Sequence, residues 1–596
     1  MKNYWQILKN YKSSLIICPI LVFIFVVCET SMPTLMAHIV DDGVMVKDMS
    51  VVVQIGLYMI IISVIALAAN IANIYISSKA SVGFGTDLRS KLFEKTQELS
   101  FAEIDKFNTA SLITRLTNDI TRIQQIVLLS LRLLLRSPMM IVMALLFVTR
   151  VDPQLALIVV AVIPLLAIGA YAVMKKALPL FMKVQQKIDK LNGVVRENLI
   201  NIRVVKSFTR EESEIDKFAT SNKELLDTSL RASNMVIVYF PLMQLIVNTS
   251  LIVILWIGGH KVASERLMIG ELISLVNYLM QIMMSLMLLA MVVISFARAM
   301  ASSRRIVEVL ETEPSVKDVY PKDIAPDKAE TAKQEIVADS ATPKIDTAPL
   351  IKRGDISFRN VYFRYPEGEQ DIIRNISFDV PAGSMVAIAG ATGSGKSSLV
   401  QLIPRLYDVS SGEILIDGND IRSYPLSELH GKVGMVLQKN ELFTGTIEEN
   451  LRWGKEDATN QEIEQAAVIA QAHDFITSFP KGYDTILGRG GINVSGGQKQ
   501  RICIARALLT KPRILILDDS TSSVDINTEK AILNGLHNNL SNTTVIIITQ
   551  RISTMMAADM VIVLEDGSIE TIGTPSELME NSEIYQEIYK SQQLVM

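Results

Sequence analysis

The sequence predicts two fold classes in series: a membrane α-helical domain of six transmembrane helices with long cytoplasmic extensions, then an α/β domain of the P-loop type. Three observations predict it. Apolar residues make up 49% of the 596 and crowd into the first 300, while the last 245 read as a soluble domain. The apolar runs are separated by alternately short and long connections, the long ones basic. The soluble half opens with an apolar strand, a glycine-rich turn and a helical pattern. The boundaries read as 1–310 for the membrane domain, 311–350 for a flexible linker and 351–596 for the soluble domain. A net charge of −4 argues against a nucleic-acid partner.

The first element is a short basic and aromatic segment, with Lys2, Trp5, Lys9 and Lys12, suited to a helix on the membrane surface. The apolar run after it continues past Cys28, too long for a cleavable signal peptide. A span needs about 20 apolar residues. Six candidates follow: residues 14–39, 51–77, 126–149, 155–174, 235–258 and 272–296. Connections two and four carry Lys79, Arg89, Lys91, Lys95, Arg115 and Arg122, then Lys175, Lys183, Lys187, Arg196, Arg203 and Arg210. Positive charge marks the cytoplasmic side, which puts both termini there. Within 184–205 the apolar residues recur at helical spacing, so the helices continue out of the bilayer. The turns near 101–108 and 208–214 are either solvated hairpins or contacts to another domain.

Some residues inside the spans are chemically unusual. Met280, Met283, Met284, Met287 and Met291, with Asn277 and Gln281, are either a repacking substrate surface or ordinary apolar lining. Glu29, Arg132 and Arg136 lie in or near spans, where charge is expensive. The two arginines are four apart and share a helix face; they either pair there or snorkel to the interface. Cys18, Cys28 and Cys503 form no metal or redox motif and read as packing residues. The segment 311–350 is rich in Lys, Asp, Glu, Ala, Pro and Thr and cannot bury enough apolar surface to fold alone.

The chemistry lies in the soluble half. Strand MVAIAG runs into Gly390-Ala391-Thr392-Gly393-Ser394-Gly395-Lys396-Ser397, followed by Ser398. Glycines let backbone N–H groups close around phosphate oxygens, and the helix start adds positive potential. Lys396 reaches the outer phosphates of ATP, and Ser397 offers a hydroxyl to Mg²⁺. A second apolar strand, RILILD, ends in Asp518, placed to hold the Mg²⁺ shell.

Between the two lies Val494-Ser495-Gly496-Gly497-Gln498. This VSGGQ closely resembles the LSGGQ signature of the ABC ATPases. Gln438 resembles the family's Q-loop glutamine, Tyr365 the aromatic residue that stacks on adenine, and Ser522-Ser523-Val524-Asp525 the D-loop. In the membrane half, SLITRLTNDI and VVRENLINIRVVKSFTREE resemble the exporter subclass. The resemblance implies that the two cytoplasmic turns are coupling helices. It also implies that two nucleotide domains sandwich two ATP molecules, each site taking its phosphate loop from one chain and its signature from the other.

Two residues depart from the family pattern. Asp519 stands where the family usually has the glutamate that polarises attacking water, and its carboxylate falls short by about 1 Å, enough to cost roughly 10²-fold in rate. Gln550 stands where a histidine is usual; glutamine donates a hydrogen bond but carries no proton charge. A third, milder departure is Arg489 in DTILGRGG, which resembles the X-loop and where a glutamate is common. The chain therefore resembles the degenerate-site subunit of heterodimeric bacterial multidrug exporters. That implies a second, non-identical half-transporter as partner, residence in the bacterial plasma membrane, and amphipathic small-molecule cargo, drug-like or lipid. The alternatives are a lipid flippase and a regulatory ABC protein that gates a partner without transport. A peptide exporter is a weaker one, since no peptidase-like segment precedes the spans.

Overall fold

The computed structural model describes residues 2–318, 349–366 and 368–593. Most of the expected linker, 319–348, lies outside the described residues. The chain divides into two compact units, Met1–Gln97 with Ala110–Thr312, and Glu98–Thr109 with Glu313–Met596. The short piece Glu98–Thr109 belongs to the second unit although it comes from the membrane half of the sequence.

The first unit is all helix. The basic start forms a helix, Lys2–Leu8, with Ile7 buried and Trp5 exposed. Long helices follow at Lys12–His38, Met49–Glu98, Leu135–Val151, Pro153–Ile200, Tyr239–Ala263 and Ile269–Glu311. Five helical segments are long and apolar enough to cross a membrane among the described residues, and Pro153–Leu166 adds a shorter apolar one. At 1.5 Å per residue, a helix such as Met49–Glu98 far exceeds a bilayer core of about 30 Å, so its basic end projects beyond it. The projecting parts are tied by charge. Arg115 donates to the Arg305 carbonyl at 2.6 Å and to Glu308 at 2.9 Å, and buried Asp119 accepts from Ser302 at 2.9 Å and from Arg305 Nε at 2.8 Å. A buried carboxylate held by two donors fixes one helix against another more firmly than a surface pair would.

The second unit is α/β. Its strands are β1 (Ile356–Phe363), β2 (Ile373–Val380), β3 (Met385–Gly390), β4 (Ser411–Ile416), β5 (Asn419–Asp420) and β6 (Val433–Val436). There follow β7 (Gly445–Thr446), β8 (Ile486–Leu487), β9 (Ile514–Asp518), β10 (Thr544–Ile548), β11 (Met560–Glu565) and β12 (Ser568–Gly573). The main sheet runs β12-β11-β3-β10-β9-β6, parallel except for the β11–β12 pair. Its parallel strands are buried on both faces, which is why they are continuously apolar, whereas β12 alternates between exposed and half-buried residues. Ala387, Leu515, Ile547 and Val563 face one core; Val386, Ile516, Ile546 and Ile562 face the other. Register places Asp518 and Ile388 beside Ile548, so the motif residues gather at the carboxyl ends of parallel strands.

The helix Phe101–Phe107 docks on this unit. Ser100 and Glu103 cap its start reciprocally, and Ala102 enters the core beside β1. The Tyr407 hydroxyl donates to Asp105 at 2.6 Å, and its ring meets Phe101 edge-on with centroids 6.2 Å apart. The first of the two expected turn segments is therefore a docked helix, not a solvated hairpin. The second surrounds Phe208, which is exposed between the helices Ile202–Ser207 and Glu211–Ile237.

Candidate functional site

The glycine-rich turn folds as it does because two of its residues need backbone room. Gly390 has φ +143°, and a Cβ there would lie 2.2 Å from the Leu564 carbonyl oxygen. Gly395 has φ +93° and starts the helix Lys396–Gln401 in the left-handed region that disfavours side chains. Beside this loop lies a cavity of about 350 Å³. Its lining includes Thr392, Gly393, Gly395, Lys396, Ser397 and Ser398 from the loop, with Gln438, Asp518, Asp519, Thr549 and Gln550 from the ends of β6, β9 and β10. The two motif strands and both departing residues, Asp519 and Gln550, thus meet around one space.

The polar groups hold one another in place. Lys396 Nζ donates to the carbonyls of Gly390 at 3.0 Å and Ala391 at 2.7 Å. Ser397 Oγ donates to Asp518 Oδ1 at 2.9 Å. Burial pushes the carboxyls of Asp518 and Asp519 up from the usual carboxylate range and the Lys396 ammonium down from the usual lysine range. The carboxyls rise because ionised oxygens lose water; the lysine falls for the same reason with the opposite charge. Asp519 stands at φ +48°, uncommon for a residue with a side chain, at the point where β9 turns into the D-loop. Among the described residues no three His, Cys, Asp or Glu side chains cluster as a metal cage. Ser397 and Asp518 still supply an oxygen pair of the kind a hard divalent cation takes when phosphate and water complete its shell.

Tyr365 lies next to this space rather than in its lining. Its hydroxyl is 3.0 Å from Ser398 Oγ, and its ring packs edge-on against Tyr407 and Phe363 with centroids 5.2 and 4.9 Å apart. The loop serine, the aromatic residue and the docked helix Phe101–Phe107 are therefore linked through Tyr407.

The VSGGQ residues are placed differently. Ser495 caps the helix Gly496–Leu509: the Gln498 N–H donates to Ser495 Oγ at 3.3 Å, and the Ser495 N–H donates to Gln498 Oε1 at 2.9 Å. Ser495 and Gly496 are exposed, and none of residues 495–498 lines the cavity of their own chain. The D-loop lies against this helix start. A Cβ at Gly497 would lie 2.7 Å from the Ser523 carbonyl oxygen, and Gln500 bonds both Ser522 Oγ and the Ser523 N–H. Asp525 caps the next helix, Ile526–Asn539, accepting from the Thr528 N–H at 3.0 Å.

One network was not legible in the sequence. Glu529, 1% exposed, accepts from Arg551 at 2.6 Å, Thr521 at 2.7 Å and Thr554 at 3.0 Å. Arg551 also donates to the carbonyls of Ser522 and Val524, clamping the D-loop to the segment that carries Gln550. A charged residue four positions past a D-loop aspartate looks like an ordinary helix-surface residue until the fold buries it.

Comparison with known proteins gives this geometry its context. Residues 15–286 match the family described as "ABC transporter transmembrane region", and residues 373–522 match the family described as "ABC transporter". The Bacillus subtilis "Uncharacterized ABC transporter ATP-binding protein YfiB" is 38% identical over 592 residues, covering 99% of this chain and 98% of that protein. This chain belongs to the ABC transporter family. The transporter is also 30% identical to the "ATP-dependent lipid A-core flippase" of Salmonella typhimurium, over 99% of this chain and 97% of that one. It shares its fold with a bacterial Atm1-family ABC exporter solved with ATP bound, at a TM-score of 0.79, 24% identity and 98% coverage of both chains. It is an ATP-driven exporter with a fused membrane domain and ATPase domain.

Proposed function

We propose that this chain is the degenerate-site half of a heterodimeric exporter in the bacterial plasma membrane, with both termini cytoplasmic. Its cargo is an amphipathic small molecule, drug-like or lipid; the likeness to a protein named as a lipid A-core flippase supports that class. One observation carries the proposal: Asp519 and Gln550 line the same cavity as the phosphate loop, so both departures act on a single nucleotide.

Lys396 and the loop N–H groups bind and orient the phosphates of ATP. Tyr365 supports the adenine side of the site, held by Ser398 and Tyr407. Ser397, Asp518 and Gln438 would hold Mg²⁺, which when bound would neutralise charge on the phosphates. Asp519 is too short to hold the attacking water where Glu would, and Gln550 donates to phosphate without taking up a proton. ATP is therefore bound here and split slowly. The Ser495–Gln498 turn, exposed at Ser495 and Gly496, completes the partner's site, where most turnover occurs and resets the transport cycle.

The test is ATP turnover by the purified chain alone, by the chain with its mate, and by each with Asp519→Glu and Gln550→His. Slow turnover alone, and about a tenfold or greater rise on restoring both residues, is expected. Fast turnover by the unmodified lone chain, or no change on restoration in the pair, rejects the reading. Transport in vesicles by the pair separates an exporter from a regulatory protein.

A further inference from the structure

A second cavity, of about 210 Å³, lies inside the membrane-spanning unit. Its walls come from the helices Lys12–His38 and Met49–Glu98 and from the segment that begins the third span. Phe25, Asn70, Asn73, Arg132, Leu133 and Arg136 line it. The two arginines differ in how their charge is met. Arg136 donates to both oxygens of Glu29 at 2.8 and 3.1 Å, and its guanidinium lies 4.4 Å from the Phe25 ring centroid. Arg132 has neutral acceptors: Ser77 Oγ at 2.8 Å, Ser78 Oγ at 2.6 Å and the Ile74 carbonyl at 2.8 Å. Among the described residues no carboxylate pairs with it.

A second, independent feature points into the same space. Asn73 is 5% exposed, and its Oδ1 has no hydrogen-bond partner. The helix also widens to a π-helical turn at Ser130–Leu134, which carries Arg132. Such turns recur at functional positions. An uncompensated cation within a span and an amide oxygen without a donor are both costly. A single ligand relieves both if it brings an anion to Arg132 and a hydroxyl donor to Asn73, with an apolar tail against Phe25 and Leu133.

We infer that this cavity binds an anionic amphiphile, a phosphate or carboxylate head with an adjacent hydroxyl on an apolar tail. The inference does not rest on pairing with a second subunit. The test titrates the full chain in detergent with phosphatidylglycerol, phosphatidylcholine and the hydroxyl-free phosphatidylethanol, with glycerol 3-phosphate as a soluble competitor. Bound lipid is read by native mass spectrometry. Phosphatidylglycerol is expected to bind about tenfold or more tightly than phosphatidylcholine, and Arg132→Gln to abolish that preference. Asn73→Leu should bring phosphatidylglycerol down to the level of phosphatidylethanol without changing the latter. ATP binding at Lys396 reports that each variant is folded, and Arg132→Lys, with charge kept, should retain part of the preference. Equal binding of phosphatidylglycerol and phosphatidylcholine by the unmodified chain, or an intact preference in Arg132→Gln, overturns the inference. An Asn73→Leu chain that still favours phosphatidylglycerol removes the hydroxyl from it. Displacement of lipid by glycerol 3-phosphate makes the ligand a free anion, not an amphiphile.

Discussion

Two faces of the nucleotide unit are built on opposite principles. Around the phosphate loop, Lys396, Ser397, Asp518, Asp519 and Gln550 converge on one cavity, where Ser397 bonds to Asp518 and Lys396 to the Gly390 carbonyl. At the signature turn, Ser495 and Gln498 cap each other, and neither lines the cavity of the same chain. The first face gathers its groups from a single chain. The second is a capped helix start that is exposed at Ser495 and Gly496. Glu529 and Arg551 join the two by fastening the D-loop to the Gln550 segment.

The sharpest way to break this contrast is Lys396→Ala. It removes the charge that meets the outer phosphates, and nucleotide affinity of the chain should fall about 100-fold, read with a fluorescent ATP analogue. Glu529→Ala comes next. It strips the partner from Arg551 and leaves two buried threonine hydroxyls without their acceptor, so thermal unfolding should show a loss of about 3 kcal/mol in the nucleotide unit. If stability is unchanged, the two faces are not joined there.

Gly497→Ala sharpens the contrast from the other side. The new methyl would meet the Ser523 carbonyl at 2.7 Å and push the D-loop away. ATP affinity of the lone chain should stay within about twofold, while turnover by the assembled transporter drops about tenfold. A matching loss of affinity in the lone chain would mean that the signature serves its own cavity after all. Tyr407→Phe should act more weakly, since it removes one hydroxyl donor to Asp105 and leaves the ring packing. A loss of about 1–2 kcal/mol in unfolding, with ATP affinity retained, is expected.

The smallest effect is that of pH. Burial raises the carboxyls of Asp518 and Asp519, so each takes up a proton at a higher pH than a solvated carboxylate does. A raised carboxyl costs stability while ionised, and the cost is relieved as pH falls through its folded value. On the proposed role of Asp518, Mg²⁺-dependent ATP binding would need it ionised and should move the opposite way. It should weaken on acidification earlier than at a site with an ordinary aspartate, in titrations from neutral pH to about 5.

The sequence by itself determined the series of membrane helices and ATPase domain, the phosphate loop, the signature motif and the two residues that depart from the family pattern. Those signals are local. A span needs only its own run of apolar residues, and a loop or a cap needs only neighbours within a few positions. Tertiary structure decided what depends on residues far apart in the chain. It brought Ser397 to Asp518 and Tyr407 to Asp105, and it buried Glu529 beneath Arg551. It also separated two arginines that the sequence treats alike, giving Arg136 a carboxylate and Arg132 only neutral acceptors. Which groups a buried charge meets depends on how helices distant in sequence are packed, and helical periodicity carries no record of that.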